Sequence, residues 1–374
     1  MTDKIQNFKN AFSHTKIHLN NAGLAPISRA ARDKIIYWGN RFYEEGFYTD
    51  LDYMNDVLFS RTKLAELIGT TKEEIAFFQS TASAVSQVCF HFPLDKHDEV
   101  IMWDQEYASH LYPWQEACKQ SGAKLVLVPS EENLNTPYER ILSAINEKTK
   151  VVAISWVQFQ TGAMTNLEKL GQELKKRNIF FMVDAIQGLG LFPMKMKEWG
   201  ISAIVGGSHK WLVSPVGVGF LALEMEFISK IKPHNVGAYT FGTCDDPTDL
   251  FCEPKRDALK YEAGSKQVLE ITALGASVNF ILETGVANIE NEVIRLTKNF
   301  RLKLEENGYI IHSPYTLENH RSSIVNFQKK GLDNKLLALK LPCLYALRGP
   351  GVRLSAHAFN TDGEIEQVLS SLTT

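Results

Sequence analysis

One stretch of the chain, residues 180–211, constrains the fold more than any other part of the sequence. It begins with the apolar run 180–183, which is typical of a fully buried parallel strand. A second apolar run, 201–205, leads into the turn Gly-Gly-Ser-His-Lys-Trp. Asp184 and Lys210 therefore follow the ends of two successive strands. Open α/β sheets bind their ligands at the carboxyl ends of such strands, so we expect a ligand site there.

The pairing of this carboxylate with this lysine has a chemical meaning. A lysine can bind an aldehyde cofactor as a Schiff base, and a carboxylate can keep a pyridine nitrogen protonated, which makes the ring an electron sink. The small residues before Lys210 leave room for a bulky cofactor close to the backbone. The alternative is a solvated lysine after a glycine turn, with Asp184 as a helix cap, because charged residues are mostly exposed.

The segments VDAIQGLG and GGSHKW resemble the cofactor signature of the class V aminotransferase group of pyridoxal-phosphate (PLP) enzymes. That group includes cysteine desulfurases, selenocysteine lyases, kynureninases and isopenicillin-N-epimerase-like proteins, and the resemblance extends over residues 18–361. It implies a fold-type-I α/β protein, with a large, mostly parallel seven-stranded sheet flanked by helices and a small C-terminal α/β domain. It also implies that Lys210 is the Schiff-base lysine, that Asp184 pairs with the pyridinium nitrogen, and that Gln187 contacts the ring hydroxyl.

A short apolar strand, residues 75–78, runs into a turn of small and hydroxyl-bearing residues and then into a helix. The first N–H groups of a helix lack partners and its dipole favours negative charge, so such a turn is an anion site. The resemblance implies that Thr81 and Ala82 hold the cofactor phosphate, together with Ser208 and His209. Routine helix capping is the alternative explanation for the hydroxyl residues.

Two further cofactor contacts are implied by the resemblance. Tyr107 follows the predicted strand 99–103 and matches the residue that stacks on the cofactor ring, although core packing is the alternative. Ser265 matches a turn that reaches the phosphate of the neighbouring subunit, which implies a homodimer; an ordinary helix-start hydroxyl is the alternative. Phe159 falls where desulfurase-like relatives carry an asparagine, and neither it nor Gln158 is assigned a role.

Arg353 is the candidate for binding the substrate carboxylate. It lies in a strand of alternating apolar residues, where a buried guanidinium is costly unless it is paired. A planar guanidinium binds a carboxylate through two parallel hydrogen bonds, and the resemblance assigns this role to Arg353. An internal salt bridge is the alternative. Asn20 and Asn21 lie in an N-terminal segment that passes near the substrate in the resembled family, and Arg348 is a second candidate.

The length of 374 residues favours two domains over one. We predict a large cofactor-binding domain over residues 18–258, and a small domain formed by residues 259–374 with the N-terminal arm 1–17. The segment 232–258 lacks clean periodicity and is predicted to be irregular, and a strand is predicted around residues 344–347. The net charge of −3 and the lack of a Lys/Arg cluster argue against a nucleic-acid partner. No apolar run reaches the length of a membrane span or a signal peptide, and the five cysteines lack paired spacing. The sequence therefore predicts a cytoplasmic protein in a reducing compartment.

The predicted residues serve transamination, epimerisation, elimination and desulfuration alike. Desulfuration requires a thiol that accepts sulfur as a persulfide, and desulfurase relatives carry it in the loop before the substrate-binding arginine. Here residues 347–352 contain no cysteine, and Cys343 is expected to be a small buried hydrophobe. An aminotransferase acting on an amino acid is therefore favoured, with a PLP-dependent lyase or epimerase as the alternative. A nucleotide-binding scaffold finds no support, because the sequence has neither a G-x-G-x-x-G turn after a strand nor a P-loop.

Overall fold

Helices and strands alternate along most of the chain. A computed structural model describes residues 3–46, 50–242, 252–315 and 322–373. The α-helices are α1 (Asp3–Asn10), α2 (Arg29–Glu45), α3 (Asp50–Ile68), α4 (Thr81–Cys89), α5 (Ala108–Ser121), α6 (Tyr138–Ala144), α7 (Leu167–Lys176), α8 (Met225–Ile228), α9 (Val268–Thr284), α10 (Val286–Glu306), α11 (Asn334–Leu339) and α12 (Asp362–Thr373). The strands are β1 (Ile17–His18), β2 (Ile75–Phe78), β3 (Glu99–Trp103), β4 (Lys124–Val128), β5 (Thr149–Ser155), β6 (Phe180–Asp184), β7 (Ala203–Gly207), β8 (Gly219–Leu223), β9 (Tyr309–Ile311), β10 (Ile324–Lys329), β11 (Cys343–Leu344), β12 (Ala346–Arg348) and β13 (Gly351–Ser355).

One large sheet contains seven strands in the order β2-β8-β7-β6-β5-β3-β4. Strands β3 to β7 pair in parallel, whereas β8 runs antiparallel to both of its neighbours, β2 and β7. Every residue of β2, β3, β6, β7 and β8 is buried, which explains why their sequences are continuous apolar runs. The predicted large, mostly parallel sheet of seven strands is confirmed.

The two faces of this sheet pack against different helices. Within β6, Phe181 and Val183 belong to one hydrophobic cluster, while Phe180 and Met182 belong to another, as the two-residue period of a strand requires. The first cluster includes side chains of α2, α7 and α9, and the second includes side chains of α4 and α5. Because both faces are covered, polar groups of the central strands reach solvent only at the strand ends.

The C-terminal part of the chain forms a smaller layer. Strands β12, β13, β10 and β9 make an antiparallel sheet in that order, and β1 pairs with β11. Helix α10 contributes to the hydrophobic clusters of both layers. Ile289 and Val293 pack in the cluster of the large sheet, whereas Leu296 and Phe300 pack in the cluster of the smaller layer. The small C-terminal α/β layer is thus present, while the domain limit drawn at residue 258 stays a prediction.

Several element limits differ from the predicted ones. Helix α4 begins at Thr81, within the predicted turn, because the Ser80 hydroxyl caps it by accepting from the backbone N–H of Ser83 at 3.2 Å. Strand β7 begins and ends two positions later than the predicted run 201–205. The single strand predicted around residues 344–347 is instead divided between β11 and β12, which pair with different strands. Apolar composition fixes the presence of these elements but not their ends.

The structure also bears on the predicted irregular segment, on the cysteines and on the prediction that no helix spans a membrane. The irregular segment predicted over residues 232–258 lies partly outside the described residues, which leave out 243–251. Cys252 is disulfide-bonded, a pairing that the scattered cysteine spacing did not predict. Within the described ranges, no single helix is long and apolar enough to cross a membrane; α9 and α10 meet that test only as a pair, bent by 79°.

Candidate active site

The carboxyl ends of β2, β3, β5, β6 and β7 surround a cavity of about 280 Å³. Parallel strands leave their carboxyl ends at one edge of the sheet, so residues far apart in sequence meet there. Most of the predicted site residues line this cavity: Thr81, Ala82, Tyr107, Asp184, Gln187, His209, Lys210 and Arg353. The small layer supplies Arg348 and Arg353, and the N-terminal segment supplies Ala22 and Gly23.

Lys210 and Asp184 form the charged centre of the cavity. Burial, assisted by the positive charges of Arg353 and Arg348, lowers the pKa of Lys210 to about 8, against the attraction of Asp184. Burial also raises the pKa of Asp184, although its Oδ1 accepts a hydrogen bond from the Ile186 backbone N–H at 2.9 Å. A lysine that is substantially neutral near pH 8 is suited to attack an aldehyde and to accept a proton.

The turn before α4 has the features of an anion site. The Thr81 Oγ1 is buried without a hydrogen-bond partner at the first position of the helix. Gly219 permits this close turn, because a Cβ there would lie 2.2 Å from the Ser80 carbonyl carbon. At Gly207 a Cβ would lie 3.0 Å from Thr81 Oγ1. The unpaired hydroxyl and the helix N-terminus together suit a phosphate.

Gln187 and His209 also line the cavity. The Gln187 amide donates to the Ala22 carbonyl at 3.0 Å and accepts from Trp211 Nε1 at 2.8 Å, which fixes its orientation. One amide N–H of Gln187 remains for a ligand. Burial, followed by the charge of Lys210, lowers the pKa of His209 to about 4, so this imidazole is neutral at physiological pH.

Tyr107 follows β3 and presents its ring to the cavity. The Lys210 Nζ lies 5.8 Å from the centroid of this ring, and Phe159 packs edge-on against it at 5.0 Å. Tyr107 remains 44% exposed, whereas an aromatic residue that only packs in the core is buried. The ring is therefore available for stacking against a planar ligand.

Arg353 is buried at 2% exposure in the middle of β13. It donates to the Phe159 carbonyl at 2.6 Å and to Asn20 Oδ1 at 3.2 Å, and its Nε has no partner. Within the described ranges no carboxylate lies within salt-bridge distance of Arg353, so the internal salt bridge considered as an alternative is not observed there. Burial, followed by repulsion from Arg348, lowers its pKa to about 10. Such a guanidinium is prepared for an anionic ligand.

Other predicted site residues lie outside the cavity lining. The Ser208 hydroxyl was expected to face the cofactor phosphate, but it donates to the Pro215 carbonyl and is fully buried. Asn21 donates to the Ser355 carbonyl at 2.8 Å, which anchors the N-terminal segment to β13 instead of facing the cavity. Asn20 does not itself line the cavity but contacts Arg353, which does. Ser265 lines a separate cavity of about 110 Å³ near Glu262.

The sequence did not predict a role for a buried pair next to the site, Glu106 and His110. His110 Nδ1 lies 3.0 Å from a Glu106 oxygen, and Glu106 also accepts from the Ser155 N–H and hydroxyl at 2.7 and 2.6 Å. Burial opposes protonation, yet Glu106 raises the pKa of His110, which in turn favours the ionised form of Asp184. Their spacing of four residues at the start of α5 is the signal that the sequence offers for this contact.

Comparison with known proteins decides the family. The sequence model described as Aminotransferase class-V matches residues 52–343, which is most of the chain. The chain belongs to the class V aminotransferase family. This membership makes it a PLP-dependent enzyme. Thr81, Asp184 and Lys210 fit that cofactor, because they bring an unpaired buried hydroxyl at a helix start, a carboxylate and a low-pKa amine to one cavity.

Individual relatives of this class V protein differ in their assigned activities. A probable cysteine desulfurase of Pyrococcus abyssi is 27% identical over 335 residues, which span 84% of this chain and 81% of the relative. The uncharacterized aminotransferase YcbU of Bacillus subtilis is 23% identical over 359 residues, or 93% of this chain and 90% of the relative. A C-DES variant with glycine covalently linked to its PLP cofactor has a TM-score of 0.88 at 18% identity, covering 100% and 99% of the two chains. This structural likeness confirms the fold.

Proposed function

We propose that this enzyme is an aminotransferase, which transfers the amino group of an amino acid to PLP and then from the cofactor to a 2-oxo acid. The observation that carries the proposal is a cavity with one central base, Lys210, and no thiol among the described residues that line it. Transamination needs one proton to be taken from the substrate Cα and given back to a second carbon, and a single mobile base suffices for that transfer.

Each residue has a defined task in this scheme. PLP, when bound, supplies the electron sink that makes the substrate Cα acidic. Lys210 would hold the cofactor, and its free amine would accept the substrate Cα proton at Nζ. Asp184 would keep the pyridine nitrogen protonated, and the Thr81 turn with His209 would hold the phosphate. Arg353 orients the substrate through its α-carboxylate.

The surroundings of Cys343 argue against a persulfide-forming desulfurase. Its side chain is buried at 8% exposure, and burial raises the pKa of its thiol to about 12. A thiolate is the reactive form of cysteine, so this thiol is inert at neutral pH. The turn between β12 and β13 contains only Gly349 and Pro350, which leaves no loop to carry a nucleophile to the cavity. Cys244 lies outside the described residues.

A PLP-dependent lyase is the second candidate, with epimerisation as a further alternative. The name of the Pyrococcus abyssi relative favours carbon–sulfur chemistry, and the residues at Lys210 serve elimination equally well. A lyase would release its sulfur product directly, because no described residue of the cavity lining can accept it. The two candidates differ in the fate of the cofactor.

The test follows the cofactor itself. Purified enzyme loaded with PLP is incubated with single amino acids in the absence of a 2-oxo acid, and its cofactor is extracted and separated. An aminotransferase gives one equivalent of pyridoxamine phosphate and one of the 2-oxo acid, then stops until an acceptor is added. Continuous release of ammonia and sulfide from cysteine, with PLP unchanged, would favour the lyase. A persulfide on the protein would overturn the exclusion of desulfuration.

We further propose a cytoplasmic homodimer, with Ser265 of one subunit near the phosphate of the other. The separate cavity at Ser265 is lined by Phe78 and Gln79, at the same β2 end that leads into the Thr81 turn. Sedimentation of the PLP-loaded enzyme tests the assembly. A dimer that loses cofactor affinity in Ser265→Ala supports shared sites, and an active, PLP-loaded monomer would contradict them.

A further inference from the structure

The cavity is lined by one cation for which the proposed function gives no partner. Its lining contains the cations Lys210, Arg348 and Arg353, but only one carboxylate, Asp184. Lys210 is engaged by the cofactor and Arg353 by a substrate carboxylate under the proposed function. Arg348 is left without a task, although it is close enough to Lys210 and Arg353 to lower the pKa of both after the larger effect of burial.

The backbone that carries Arg348 is fixed against the large sheet. The fully buried Asn326 donates to the Arg348 carbonyl at 2.7 Å and to the Gln160 carbonyl at 3.0 Å. The next residue, Gly349, has a φ of +51°, and a Cβ there would lie 2.5 Å from Gln160 Oε1. This tight turn connects Arg348 to the loop whose Phe159 carbonyl accepts a hydrogen bond from Arg353.

The guanidinium of Arg348 itself is uncommitted. It is exposed at the cavity mouth, and one nitrogen donates to the neighbouring Leu347 carbonyl at 2.9 Å. In the part of the chain that the structure describes, Arg348 forms no salt bridge. Two arginines facing one cavity repel each other, and an anion placed at each removes that cost.

We propose that Arg348 forms a second anion subsite, and that the enzyme acts on amino acids or 2-oxo acids with a carboxylate on the side chain. This inference rests on the proposed function, because it takes Arg353 as the α-carboxylate site. Arg353 is buried and binds the carboxylate that every amino acid has, whereas Arg348 at the mouth meets the distal group. Arg348 therefore selects among substrates.

Binding measurements test the subsite without requiring turnover. Calorimetric titration of the PLP-loaded enzyme compares the dicarboxylate succinate with the monocarboxylate butyrate. We expect succinate to bind about 5- to 10-fold more tightly, because Arg348 is exposed and solvent screens its pair with a carboxylate. Arg348→Met should abolish this preference and leave butyrate affinity unchanged, while Arg348→Lys should retain part of it. Arg140→Met, which removes an exposed arginine outside the cavity lining, is the matched control and should change neither affinity.

Several outcomes would overturn the subsite. Equal affinities for succinate and butyrate would do so, as would a succinate preference that survives in Arg348→Met. A loss of both affinities in Arg348→Met would reassign the α-carboxylate to Arg348. Because these titrations need no chemistry, an enzyme that prefers succinate but forms no pyridoxamine phosphate would refute the proposed function and leave the subsite intact.

Discussion

Two buried clusters of charge, both adjoining the large sheet, differ in how completely their groups are paired. At one, Glu262 lies 2.8 Å from Arg61, contacts Lys266, and accepts from the Phe77 backbone N–H at 2.8 Å. These side chains are no more than 8% exposed. At the other, around Lys210, Arg353 has no carboxylate partner among the described residues, and its Nε is unpaired.

The paired cluster contributes to stability, whereas the incompletely paired cluster is suited to bind a ligand. Burial opposes the charge of Glu262, but Arg61 and Lys266 overcome it and hold the pKa of Glu262 below its usual range. At the cavity the effect of burial exceeds that of the neighbouring charges. It lowers the pKa of Lys210 and raises the pKa of Asp184, so that the neutral form of each is favoured. Unpaired buried groups occur in folded proteins where a ligand supplies the missing partners. The cluster around Lys210 is therefore the one expected to bind a ligand.

The largest expected effect is that of Lys210→Ala. Loss of the central base should reduce turnover by about 10²- to 10⁴-fold, and the protein should no longer retain cofactor covalently after borohydride reduction. Lys9→Ala, which breaks a buried ion pair with Glu292 away from the cavity, is the matched lysine control; it should keep the covalent label while losing thermal stability. Steady-state kinetics and mass spectrometry measure both variants. A covalent label retained in Lys210→Ala would show that another lysine binds the cofactor and would contradict the assignment of function to the cluster around Lys210.

Asp184→Asn separates chemistry from stability at one residue. An amide cannot hold the pyridine nitrogen protonated, and an attraction of about 4 kcal/mol, or roughly 10³-fold in rate, is the scale at contact distance. Because the pKa of Asp184 is raised in the folded state, its ionised form disfavours folding above pH 3.8. The cofactor-free variant should therefore be at least as stable as the wild type. Turnover within a few-fold of wild type would contradict this role.

Glu262→Gln should show the opposite behaviour. Removing one partner of a buried ion pair costs about 3–5 kcal/mol of unfolding free energy. The pKa of Glu262 is lowered on folding, so its contribution exists above the ordinary value of 4.5 and disappears as the pH falls through the folded-state pKa. Denaturant titrations of the two proteins should converge in acid. Glu198→Gln, in an exposed pair with Lys195, should cost less than about 1 kcal/mol, and an equal loss there would refute the distinction.

The smallest effect is expected for Cys343→Ser. The buried thiol packs in the small cluster and its pKa of about 12 keeps it protonated. Activity with the best amino-acid substrate should remain within about twofold of wild type, because the residue does not line the cavity. A loss of sulfide release from cysteine in this variant, with stability preserved, would show that the thiol takes part in the chemistry.

Much of this organisation could be predicted from the sequence. Buried parallel strands have continuous apolar sequences, so β6 and β7 were predicted, with Asp184 and Lys210 at their ends. The carboxyl edge of a parallel sheet then brings Thr81 and Tyr107 to the same place. What was predicted in this way depends only on strand order and direction.

Side-chain direction could not be predicted in the same way. Ser208 follows β7 as expected, yet its hydroxyl turns to the Pro215 carbonyl, a choice made by the following turn. Asn21 is likewise drawn to Ser355 by the pairing of the N-terminal segment with β13. The turn at Arg348 depends on Asn326 and Gln160 from other parts of the chain. Such contacts are long-range and leave no local pattern.

Borohydride trapping across a pH series tests the central claim most directly. Burial lowers the pKa of Lys210 to about 8, from 10.5 for an ordinary lysine, and only the neutral amine attacks the cofactor aldehyde. Protein mixed with PLP at each pH is reduced briefly, digested and mapped. We predict that the label lies on Lys210 and that its rate of formation rises up to about pH 8 and then levels off. A label on Lys266 or another lysine, or a rate that keeps rising beyond pH 10, would contradict the assignment of this cavity.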